Sequence, residues 1–270
     1  MSSNRREFIA GSGAVIAALT SLSACARREN APDVAELLAA IAEEILADYP
    51  ENATSLGIDT GARATLKARL SDRSAAGQQA IAGRVAARLA KLQAIDLAAL
   101  DAATRVDLDV VRTAHETAAE GFKFPYGDVA LLNQNWSWRN APYVVAQNTG
   151  AFLEIPSLLT EQHQLNSRED VEAYLSRLEA YAGQLDGETG RLQSAAGQGV
   201  VAPDFLLDKT LSQIRLARAG KVEDWSIVVA GSGVPLGVDL QDGGWRGLSC
   251  ATQGNESHTS LSNAAGLERT

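Results

Sequence analysis

The chain has 270 residues, with 24 Lys and Arg against 33 Asp and Glu, a net charge of −9 at pH 7 and a hydrophobic content of 46%. It is long enough to bury a sizeable core and apolar enough to be globular rather than disordered. The negative balance and the 5% aromatic content argue against a nucleic-acid partner, and two Cys with three His cannot build a disulfide framework or a cysteine-rich zinc site.

Residues 1–24 have the form of an export signal: a polar start, then the apolar run Ala14–Leu19, too short for a permanent membrane span. Arg5 and Arg6, followed by Phe8, lie in Asn4-Arg5-Arg6-Glu7-Phe8-Ile9, which resembles a twin-arginine translocation motif. Leu22-Ser23-Ala24-Cys25 resembles a lipobox, so Cys25 is expected to carry a lipid that holds the chain on the periplasmic side of a bacterial membrane. The alternative is an ordinary cleaved signal and a soluble periplasmic protein. Residues 26–32 read as a polar tether.

The body reads as an all-α, multi-helix bundle. Pro32 and Asp33 suit a helix entrance, and Val34, Leu37, Leu38, Ile41 and Ile45 recur at helical spacing before Pro50. Further helices are expected over 72–95, from the stripe Ile81, Val85, Leu89 and Leu92, and over 98–120, with Val106, Val110 and Ala114 on one face. Residues 122–150 contain two Trp, two Tyr and two Pro. They read as a structured loop or short extended segment whose tryptophans pack a helix junction. The clearest helix is 167–195, opened by the near capping box Ser167-Arg168-Glu169-Asp170. A last helix, 204–219, is stopped by Gly220. The helical domain is drawn over 33–227.

From Val228 onward the text changes: residues 231–270 hold eight of the 23 Gly, and apolar periodicity vanishes. Residues 228–270 are expected to form a disordered or irregular tail, from a shifted reading frame or truncation, or else a natural linker. No nucleotide-binding loop, nucleophile elbow or paired-histidine metal motif occurs. His115 and His163 each lack a His at i+3 or i+4, and His258 and Cys250 fall in the tail. Acidic pairs such as Glu43-Glu44 and Asp107/Asp109 read as solvated helix faces. The residues themselves name no catalytic group, no metal ligand and no oligomeric state.

Six segments in order carry a resemblance. They are Pro50–Gly57, Leu70–Ser74, Pro142–Ala151, Ala173–Glu179, Gln184–Glu188 and Gly199–Thr210. Together they resemble the N-terminal part of the bacterial domain of unknown function 885 family. That resemblance implies an exported, largely helical protein similar to zinc metallopeptidases. In an intact member an H-E…G-H motif in the C-terminal half would hold zinc. Nothing here matches that motif, so the resemblance transfers no catalytic residue, and no cofactor is expected in this chain. The chain then reads as an inactive, lipid-anchored hydrolase fragment; the alternative is a stand-alone helical lipoprotein that binds a peptide or protein partner.

Overall fold

The computed structural model describes residues 34–133 and 138–232. The expectations for Arg5, Arg6, Phe8, Cys25, the tether, Cys250 and His258 lie outside the described residues. Among them no helix is long and apolar enough to cross a membrane.

Helix α1 spans Val34–Asp48 and buries Ile41 and Leu46. Pro50 ends it but also initiates the short α2, Glu51–Ser55, because a proline has no N–H to leave unpaired in a first turn. A 3₁₀ segment follows over Gly61–Ala68. Helix α3, Ala75–Gln93, starts where the Ser74 side chain accepts from the Gly77 N–H. Helix α4, Ala102–Gly121, is capped by Asp101, which accepts from the N–H groups of Ala103 and Thr104.

The α4 face differs from the expected one. Val106 and Val110 are 61% and 58% exposed, while Leu108, His115 and Ala118 are buried. Both sets have helical spacing, so periodicity alone does not choose between them. Leu108, with Val111 beside it, meets Ile41 and Leu92 of α1 and α3, and that contact sets the rotation.

Strands β1 (Asp128–Ala130) and β2 (Arg139–Ala141) pair antiparallel, with Val129 opposite Asn140. Trp138 is 49% exposed, so it does not pack a helix junction as expected; Trp136 lies outside the described residues. Helix α5, Ala151–Ser157, contains Pro156 and passes into a π-helical turn, Leu158–Gln162. Proline removes one rung of the α ladder, and the wider turn re-pairs the backbone after it.

Helix α6, Arg168–Gly197, carries a complete capping box: Ser167 Oγ accepts from the Asp170 N–H, and Asp170 accepts from the Ser167 N–H. Helix α7 spans Asp204–Ala217 and α8 spans Ser226–Ser232. The last crosses Val228, where the composition suggested that order would end.

Apolar side chains gather in separate clusters. Tyr49, Ile81, Val85, Ala118 and Val129 form one, and Ala151, Ile155, Leu158, Leu159 and Tyr174 form another. At the seam between them the chain places charge.

Candidate functional site: a buried arginine–carboxylate centre

Arg73, in the turn before α3, is 8% exposed. Its Nη1 donates to Glu188 Oε1 on α6 at 2.8 Å and its Nη2 to Glu154 Oε2 on α5 at 2.6 Å; Glu51 Oε1, at the start of α2, lies 3.9 Å away. A second arginine, Arg139 on β2, donates to Asp128 Oδ2 at 2.7 Å and to Glu154 Oε1 at 3.1 Å. The third, Arg191 on α6, donates to Asp128 Oδ1 at 2.9 Å and to the Gly127 carbonyl at 2.7 Å. Three guanidiniums thus meet four carboxylates, and each arginine ties elements distant in sequence.

The backbone is shaped around this centre. Gly150, at φ 131°, turns the chain so that the Ala151 N–H, at the start of α5, donates to the Glu188 carboxylate at 2.9 Å. Gly187 lets α6 approach the Arg73 turn: a Cβ there would stand 2.7 Å from Ser74 N. Ser71 donates to Glu51 from both its N–H (3.0 Å) and its hydroxyl (2.6 Å), and Gln184 donates to the Ser71 carbonyl at 2.7 Å.

Charge balance sets the protonation. Burial disfavours the Glu154 carboxylate, but Arg73 and Arg139 outweigh it and hold that group below the usual range. Asp128 is lowered in the same way, against its burial, by Arg139 and Arg191. At Glu188 burial wins over Arg73, and its pKa is raised. Arg73 itself stands well above the ordinary guanidinium value, because Glu154, Glu188 and Glu51 overcome its desolvation.

Two turns from Gln184 toward the start of α6, Arg177 is fully buried and bonds no carboxylate. It donates to Thr54 Oγ1 at 2.8 Å, to the carbonyls of Arg69 and Leu66, and from Nη1 to His163 Nδ1 at 3.0 Å. Burial pulls its pKa down to about 10. A guanidinium only donates, so His163 Nδ1 accepts, and Nε2–H donates to the Asp170 carbonyl at 2.9 Å. His163 is therefore a neutral ring with both nitrogens engaged. His115 donates from Nδ1 to the Val111 carbonyl at 2.7 Å, and its buried Nε2 has no partner. Burial, with the field of Arg88 added, lowers its pKa. Arg88 is itself buried and held by Glu44 and Asp48, so Glu44 does more than sit on a solvated face.

A zinc ion does not fit these residues. His163 has no free lone pair, His115 stands in the field of an arginine, and among the described residues no three His, Cys, Asp or Glu are grouped to hold a metal.

Beside the centre is a polar cavity of about 20 Å³ lined by Tyr49, Asn52, Arg73 and Asp128, room for about one water. Asn52 Oδ1 is buried there without a partner. Gln78 and Val129 line both this cavity and a wider groove of about 280 Å³, which adds Gln79, Phe124 and Tyr126.

Sequence reasoning did not find the centre, yet its signal was present. Glu51, Arg73, Ala151 and Glu188 fall one each in the first, second, third and fifth of the six segments that carried the family resemblance, and the neighbouring Arg177 falls in the fourth. The sixth, Gly199–Thr210, contributes nothing to it.

The family's sequence profile, described as a bacterial protein of unknown function (DUF885), matches residues 50–242. The chain belongs to this family. The match, like α8, runs past Val228. Among curated proteins no sequence matches the chain. The fold is similar to the crystal structure of a putative lipoprotein from Colwellia psychrerythraea, with a TM-score of 0.72 and 15% identity. That likeness covers 87% of this chain but 40% of the other, so the chain spans about two-fifths of the length of that protein.

Proposed function

We propose that this chain is the N-terminal, scaffold-forming part of an exported DUF885 protein, anchored by a lipid on Cys25, and that it does not hydrolyse peptides by itself. The observation that carries the reading is that the charged groups of the polar centre saturate one another, while the amide oxygens of Asn52 and Gln184 beside them lack a partner among the described residues. Its carboxylates are bonded by arginines, serine and backbone N–H groups, and His163 is locked as a neutral hydrogen-bonding bridge. A hydrolytic site instead needs a base or metal ligand with a lone pair facing the substrate. The 40% coverage of the Colwellia protein supports the reading of a part rather than a whole. The family match reaches residue 242, past the Val228 at which the tail was expected to begin.

A second reading, a lipoprotein that binds an extended peptide, is favoured by the groove at Phe124, Tyr126, Gln78 and Gln79. Its aromatic wall and side-chain amides suit a peptide backbone.

Export and anchoring are tested by fractionating cells that express the wild type and Cys25→Ser. Membrane retention of the wild type and release of the variant are expected, because the lipid is the only anchor proposed. Equal retention of both rejects the anchor. Peptide turnover by the purified chain above a heat-inactivated control rejects the inactive scaffold.

A further inference from the structure

The groove of about 280 Å³ beside the centre draws its lining from α3, α6 and the loop after α4. Ala75, Gln78, Gln79 and Ala82 share one face of α3, at i, i+3, i+4 and i+7. The loop supplies Phe124 and Tyr126, whose ring centroids stand 5.6 Å apart with their planes tilted by 45°. Phe124 is 58% exposed, an open aromatic surface rather than a core residue. Val129 of β1 and Val144 are buried and add an apolar floor.

The polar groups of this groove are rich in donors and carry little net charge. Among the described residues that line it there is no carboxylate. Arg191 lines one end, but it already donates to Asp128 Oδ1 and to the Gly127 carbonyl, so its charge is matched from behind. Ser194 Oγ accepts from Gln198 Nε2 at 3.4 Å and keeps its own hydroxyl proton to donate. The side-chain amides of Gln78 and Gln79 and the Tyr126 hydroxyl have no partner among the described residues. Each of those amides offers two N–H donors against one acceptor oxygen. A matching ligand therefore brings carbonyl acceptors and apolar rings, carries no charge, and has few N–H groups of its own.

Resting on the peptide-binding reading of this groove, we propose that its ligand is an uncharged, proline-rich segment in the polyproline II conformation. Proline has no N–H, and that helix makes no internal hydrogen bonds, so its carbonyls are free to accept from Gln78 and Gln79. Three residues per turn place two of every three side chains against a surface. Residues i and i+2 stand roughly 6 Å apart along the axis, near the 5.6 Å between the two rings, so prolines in a P-x-P register seat against Phe124 and Tyr126. A strand ligand would instead bring an N–H at every residue to a groove that has few acceptors. The polyproline segment is also preformed, and so loses less chain entropy on docking.

The test uses the full mature chain with Cys25→Ser and follows the glutamine side-chain amides by proton–nitrogen NMR, assigned with Gln78→Ala and Gln79→Ala. The probes are acetyl-Pro-Pro-Ala-Pro-Pro-Ala-Pro-Pro-amide, a proline-free peptide of the same length built from Ala and Ser, and a neutral trimer of N-acetylglucosamine. Saturable shifts of both amides with the proline peptide are expected, with the proline-free peptide binding about tenfold more weakly or worse. Phe124→Ala, at an exposed ring, should weaken the proline peptide by about tenfold while helical circular dichroism is kept. Val106→Ala on α4, which does not line the groove, should leave binding unchanged. Equal binding of the two peptides at these amides overturns the polyproline assignment and leaves the peptide reading standing. Binding that Phe124→Ala does not weaken places the peptide elsewhere and overturns the assignment. No shift with either peptide overturns both, and shifts from the sugar alone give the groove to a carbohydrate and also overturn both.

Discussion

Removing the Arg73 guanidinium tests how the interior is held. In Arg73→Ala, Glu154 and Glu188 lose bonds of 2.6 and 2.8 Å and remain buried, and Glu51 loses its nearest cation. Breaking a buried pair by deleting one partner costs about 3–5 kcal/mol, chiefly because the stranded charges keep their desolvation penalty. With an m-value near 2 kcal/mol/M in urea, the midpoint should fall by roughly 2 M. Arg73→Lys keeps the charge but not the two-pronged geometry, and should lose about 1–3 kcal/mol. Lys123→Ala, at an exposed pair with Glu120, should change stability by less than about 0.5 kcal/mol.

The pH dependence carries a sign. Without Arg73, burial dominates at Glu154 and Glu188, and their folded pKa values rise above the unfolded ones. A carboxyl shifted in that direction contributes stability below the unfolded pKa and loses it as pH rises through the folded value. The deficit of Arg73→Ala should therefore widen from pH 5 to pH 8. Urea titrations at both pH values are the assay. A deficit no larger than that of Lys123→Ala, or one that does not change with pH, would refute the reasoning.

Three further outcomes follow from individual contacts. Gly187→Ala should destabilise by about 1–3 kcal/mol, because the new Cβ meets the Ser74 backbone, although alanine favours a helix. On the same helix Gly183→Ala, with open space at its Cβ, should stabilise by about 0.5–1 kcal/mol; thermal unfolding reads both signs. His163 has a lowered folded pKa, from burial first and then from Arg177, so its contribution to stability is present above the unfolded value of about 6.5 and is lost as pH falls. In proton NMR titrations both His163 and His115 should titrate below that value, and a ring that charges above it contradicts the assigned hydrogen bonds.

Much of the fold is legible in the sequence where a helix is long and clearly bounded. The spacing in 33–49 and 204–219 and the cap at Ser167 lead directly to α1, α7 and α6. Short elements are not legible. Helix α2 begins at the proline that reads as a stop, and α5 contains a proline whose lost backbone bond is absorbed by a π turn. Neither has enough turns for a periodic signal.

The centre escapes for a related reason. At about 100° per residue, Arg177, Gln184, Glu188 and Arg191 fall within about 60° of one another on α6, beside the apolar stripe of Tyr174 and Tyr181. Polar residues flanking a stripe normally mark its solvent edge. Here they are buried, because charges from four other elements converge on them, and such convergence is a tertiary fact. The same limit applies to His163: its isolation in sequence gives no sign that Arg177 occupies its lone pair.

The proposal that this chain is a scaffold rather than a metal-dependent hydrolase is tested most directly by adding zinc to the metal-stripped mature chain and recording bound metal and melting temperature together. A ligand that binds only the native state must raise the melting temperature. The account predicts no stoichiometric zinc and no upward shift, with the wild type and His163→Ala responding alike. One tightly held zinc per chain that raises the melting temperature, and that is lost in His163→Ala or His115→Ala, would contradict it.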